Sequence, residues 1–62
     1  MKAKDVQYFE DLTPLTFFIR KGGLCFVESS SDAKISGVHV MTVTNEHDAT
    51  IIVNLINDSF KP

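Results

Sequence analysis

Few residues in this chain could do chemistry, and they fall into two groups. Asn45-Glu46-His47-Asp48 gathers two carboxylates, an imidazole and a carboxamide within four positions, a set that could hold a cation or supply an acid and a base. A calcium loop would need oxygen ligands at alternating positions, and zinc would need ligands from elsewhere in the chain. The same four residues are also the ordinary composition of a polar turn. Cys25 and His39 are the second group, a potential nucleophile and base. No motif surrounds either one. Cys25 lies between Leu24 and Phe26, where an unactivated cysteine acts as a small buried hydrophobe. A 62-residue chain has little material for a water-excluding cleft. The expectation is a protein without catalytic residues, metal or cofactor, hence not an enzyme.

Binding residues are easier to find. Arg20 and Lys21 follow Phe17 and Phe18, the mixture of cations and aromatic rings that small barrels use to stack single-stranded bases. Such binding rests on phosphate neutralisation, whereas this chain has eight acidic and six basic residues and a net charge of −2. Nucleic acid is therefore the second choice. Phe18, Met41 and Ile52 would form an apolar contact patch if their strands share a face, with His39 beside Asn54 as a group able to sense pH at an interface. The candidate binding set is Phe18, Arg20, Lys21, His39, Met41 and Ile52. The favoured partner is another protein, with a self-assembling homo-oligomer as a further alternative.

The elements that must position these residues read as follows. Val6, Phe9 and Leu12 recur at helical spacing over 5–12, with Asp5 as a cap, and Thr13-Pro14 stops the helix. Residues 16–20 and 24–28 are aromatic and β-branched runs around Lys21-Gly22-Gly23, which predicts a hairpin with a two-residue turn. Phe17, Ile19, Leu24 and Phe26 would then face the core, with Phe18, Cys25 and Val27 on the reverse. Residues 33–36 could add a short strand. A second hairpin is expected from 38–44 and 49–56 around the 45–48 loop, with Val38, Val40 and Thr42 opposite Leu55, Val53 and Ile51. The uncharged run 50–56 would aggregate as a bare edge, so it is placed centrally or paired with another copy. Residues 57–62 read as a flexible tail. The sum is one domain over 1–62, mainly β with one short N-terminal helical turn, folded as a small antiparallel barrel or curled sheet of four or five strands.

A domain of this size buries only about 60% of its unfolded surface. One cysteine cannot form an internal disulfide, and no zinc motif can be written, so self-association is the remaining way to add stability. No apolar run approaches the roughly 18 residues of a membrane span, and Met1-Lys2-Ala3-Lys4-Asp5 does not lead into a signal sequence. A cytoplasmic setting is expected, which makes the sequon Asn57-Asp58-Ser59 a chance match.

Phe9-Glu10-Asp11-Leu12, then Phe17-Phe18, then Phe26-Val27 beyond a glycine turn, resembles a pattern in short β-rich proteins encoded by bacteriophages. The resemblance spans residues 9–30, and Pro14-Leu15 stands where that pattern has a glycine. It implies a small accessory protein that binds and inhibits or redirects a host protein, and it carries no catalytic residues.

Overall fold

The computed structural model describes residues 3–61; Met1, Lys2 and Pro62 lie outside the described residues. In chain order it contains helix α1 (Lys4–Leu12), strand β1 (Leu15–Ile19), a 3-10 turn (Lys21–Gly23), β2 (Cys25–Ser29), β3 (His39–Val43) and helix α2 (Glu46–Ser59). The strands make one open antiparallel sheet in the order β1-β2-β3. Helix α2 packs on one face of it: Ala49 and Val53 close over Leu15, Cys25, Val27 and Val43, and Leu12 from α1 completes the core. The domain is therefore a two-layer α+β fold, which overturns the expected mainly-β barrel or curled sheet of four or five strands.

The largest correction concerns 45–56. Asn45 is the N-cap of a helix, its side chain accepting the Asp48 backbone N–H at 2.8 Å while its Nδ2 donates to the Asp48 carboxylate at 3.0 Å. Glu46 and Asp48 sit in the first turn, where acidic groups favour the helix dipole. The supposed hairpin tip is thus a helix start. Burial follows helical spacing: Ala49 and Val53 are buried and Ile52 and Ile56 partly so, whereas Ile51 and Leu55 are exposed. The β-branched run Thr50-Ile51-Ile52-Val53 has strand propensity, but capping and the face it offers the sheet prevail. Residues 57–59, expected in the tail, are the last turn of α2, and the ring of Phe60 stacks on Phe9 of α1 with centroids 6.1 Å apart.

The first helix forms close to where its pattern places it. Its N-cap is Ala3, without a side-chain hydrogen bond, so Asp5 lies in the first turn instead of capping it. Thr13 ends the helix with extended backbone, its N–H and its hydroxyl both donating to the Glu10 carbonyl. Residues 33–36 form no strand: the Ala33 N–H turns back to Ser30, and the Ile35 N–H donates to the Asp11 carbonyl at 2.9 Å.

The β1–β2 hairpin carries a second correction. Ile19 pairs with Cys25 and Phe18 with Phe26, and the Arg20 N–H donates to the Leu24 carbonyl at 2.6 Å, so three residues make the turn. Gly22 and Gly23 both hold φ of +81°, a backbone that a side chain disfavours. Either two-residue turn would shift the register by one, and a one-residue slip moves every side chain of β2 to the other face. Cys25 and Val27 consequently point into the core at 0% exposure, while Leu24 and Phe26 do not.

Candidate functional site

Because α2 covers one face of the sheet only, the other face is the feature that needs explaining. Alternation along each strand assigns its residues. At the turn end stand Arg20 and Leu24. In the middle row are Phe18, Phe26 and Thr42, and in the last row Thr16, Glu28 and His39. Phe18 is 44% exposed and Leu24 39%. The Arg20 guanidinium carbon lies 5.4 Å from the Phe18 ring centre and 5.7 Å from that of Phe26, within cation–π range of both rings.

His39 reaches this face through an irregularity of β3. Val27 pairs with Met41 while the next residue, Glu28, pairs with His39, so Val40 is an extra residue in β3. Simple alternation from Thr42 would send His39 to the core side; the bulge re-aims it outward. Its ring meets Phe26 edge-on at 5.2 Å and its Nε2 lies 3.2 Å from the Thr42 hydroxyl. Arg20, Phe18, Phe26 and His39 thus form one continuous strip of touching cation and aromatic groups, with Arg20 over both phenylalanine rings and His39 edge-on to Phe26. A shallow depression of about 450 Å³, lined by Thr16, Phe18, Glu28 and the serines after β2, extends the strip at the end opposite the turn.

Among the predicted binding residues, the structure brings Phe18, Arg20 and His39 together, with exposed Lys21 in the adjoining turn. It separates Met41 and Ile52 from them. Met41 lies opposite Val27 on the helix-covered face, and Ile52 belongs to α2; both pack against the core. The expected Phe18–Met41–Ile52 patch therefore does not exist, because it required a hairpin where α2 stands. For the same reason His39 is not beside Asn54. Cys25 and His39 are on opposite faces, so they make no nucleophile–base pair. Glu46, His47 and Asp48 are spread around the first turn of α2, and the described residues contain no group of three or more His, Cys, Asp or Glu placed to hold a metal ion.

Phe26, Glu28 and Thr42 belong to the face although the sequence reading left them out. The available signal was the glycine pair, since three-residue hairpin turns with glycine at the left-handed positions are nearly as regular as two-residue ones. The two edges of the sheet differ as well. Asn57 of α2 lies beside β1, accepting the Leu15 N–H at 2.7 Å and donating to the Leu15 carbonyl at 3.0 Å. Its carboxamide thereby stands in for one peptide group of a missing neighbouring strand. Among the described residues no helix is long and apolar enough to cross a membrane. No protein-family model, curated protein or solved structure matches the chain.

Proposed function

We propose that this protein is a non-catalytic binding module that takes a protein partner on the open face of its sheet, anchored by Phe18, Phe26 and Arg20. The observation that carries this reading is the guanidinium of Arg20 lying over the rings of Phe18, which is 44% exposed, and of half-buried Phe26, on the face that α2 leaves open. Aromatic residues and arginine supply most of the binding energy at protein interfaces, and a rigid strand platform presents them at small entropic cost. The role is stoichiometric, that of an accessory or inhibitory protein. A cytoplasmic setting suits a fold held together by packing around a buried free cysteine, without a disulfide.

Single-stranded nucleic acid is the second reading, favoured by the same stacked strip. It ranks lower because Glu28 shares the face and the chain is acidic overall. Tagged wild-type and Phe18→Ser chains, used to retain proteins with and without nuclease, separate the two. Retention by the wild type that survives nuclease and is lost in Phe18→Ser, with the melting temperatures of the two dilute chains equal, supports the protein reading. Retention that disappears with nuclease favours nucleic acid, and equal retention by both chains removes the open face from the function.

A further inference from the structure

The open face has a charge pattern that narrows its occupant. Arg20 and Glu28 carry opposite charges at opposite ends of the strip. Thr16 pairs with Glu28, so Arg20 lies four residues along β1 from the Glu28 row, about 13 Å at strand spacing. Within one chain they do not meet. Arg20 has the two rings for company and no carboxylate, and the half-buried Glu28 side chain forms no hydrogen bond or ion pair with a described residue. By backbone row, Phe18 and Phe26, paired across the strands, sit midway between Arg20 and Glu28, with the Arg20 guanidinium folded back over their rings.

Such an arrangement is complementary to itself. A two-fold axis lying between two stacked sheets, perpendicular to the strands and passing over the Phe18–Phe26 pair, reverses the strip end to end. Turning off its own rings, the Arg20 side chain of one copy then reaches the Thr16–Glu28 row of the other, Glu28 meets Arg20 in return, and the uncovered phenylalanine pairs pack at the centre. Sheets packed face to face commonly align in this way, about 10 Å apart, and an isologous interface requires this reciprocity. We infer that, in the isolated protein, the occupant of the open face is a second copy of the same chain, held by Phe18–Phe26 packing and two symmetric Arg20–Glu28 pairs. The inference rests on the open face being a docking surface and names what docks there. Three five-residue strands present about 17 by 14 Å, less than the roughly 800 Å² per partner of a standard interface, so the dimer is reversible and dissociates on dilution.

Charge reversal tests it. Sedimentation equilibrium of the full chain over a concentration series should show a mass rising from 6.9 kDa toward twice that value. Arg20→Glu and Glu28→Arg should each stay monomeric over the same range, because each places like charges opposite one another twice. An equimolar mixture of the two variants should dimerise again, since every reversed charge then faces its opposite, and the doubly exchanged chain should dimerise by itself. Restoration in the mixture also shows that both variants fold. A wild type that is monomeric throughout, single variants that associate as well as the wild type, or a mixture that stays monomeric would each overturn the inference. A monomeric wild type whose protein retention is still lost in Phe18→Ser would overturn the dimer alone and leave the open face as a docking surface.

Discussion

Replacing Asn57 with alanine tests how α2 is fixed to the sheet. The wild-type carboxamide makes two hydrogen bonds to the backbone of Leu15, at 2.7 and 3.0 Å, and Leu15 is only 4% exposed. Each bond contributes about 1 kcal/mol net, and a buried peptide group left without a partner costs more than the bond itself. The loss should therefore be roughly 2–3 kcal/mol. With a urea dependence near 1 kcal/mol per molar for so small a domain, the unfolding midpoint should fall by about 2–3 M. Amide hydrogen exchange should show the Leu15 N–H losing protection out of proportion to Val27, which lies deeper in the sheet. A variant whose midpoint stays within about 0.5 M of the wild type would refute the reasoning, because the edge of β1 would then not depend on this side chain. Asn57→Asp adds a test of sign. An ionised carboxylate keeps the acceptor for the Leu15 N–H but opposes the Leu15 carbonyl, whereas the protonated acid restores a donor. The introduced group should thus have a folded-state pKa above its unfolded value, so its stabilising contribution is full at low pH and is lost as pH rises through the folded pKa. Stability of this variant relative to the wild type should improve on acidification.

Two further substitutions examine α2 itself. Asn45→Ala removes the cap that receives the Asp48 N–H and should cost about 1 kcal/mol, seen as a fall in melting temperature of roughly 4–8 °C. Ile51→Ala and Val53→Ala form a pair that separates helix from strand: two residues apart, they would share a face in a strand and behave alike. In α2 they do not, since Ile51 is exposed and Val53 is buried, so Val53→Ala should cost about 2 kcal/mol while Ile51→Ala stays within about 0.5 kcal/mol of the wild type in denaturant melts.

The parts of the fold that were readable in the sequence are those where local pattern and tertiary packing agree. Val6, Phe9 and Leu12 before Thr13-Pro14 describe α1, and the apolar runs on either side of the glycine pair describe β1 and β2. Residues 38–44 likewise contain β3. In 45–56 the two levels disagree. Strand propensity in Thr50-Ile51-Ile52-Val53 outweighed a capping pattern, Asn45 with Asp48 three residues on, whose physical meaning depends on a helix following it. The helical spacing of Ala49, Ile52, Val53, Ile56 and Phe60 was also present, but the intervening Ile51 and Leu55 obscured it by filling the outer face with apolar side chains. The site was half legible for a different reason. Residue type picked out Phe18, Arg20 and His39, whereas face membership depends on register, and register depended on one residue in a turn and one in a bulge.

That dependence explains why the open face is both bare and organised. Fourteen residues of α2 span about 21 Å, enough to run the length of a five-residue strand, so one helix suffices to cover one side of a three-stranded sheet. The other helix cannot cover the remaining side. α1 leads into β1 through Thr13 and Pro14, its C-terminal end is hydrogen-bonded to Ile35 and its Phe9 stacks on Phe60 at the far end of α2, while residues 3–8 are all exposed. The chain consequently extends to 41 Å along its long axis against 19 and 18 Å across. With both helices committed, neither covers Phe18 and Leu24, which stay exposed, and Phe26 is only half-buried. A three-residue turn in place of a two-residue one moves Phe26 out of the core and beside Phe18, and the β3 bulge brings His39 to its edge. Removing either irregularity would flip one wall of the strip inward, so the two devices that set the register are the ones that build the open face.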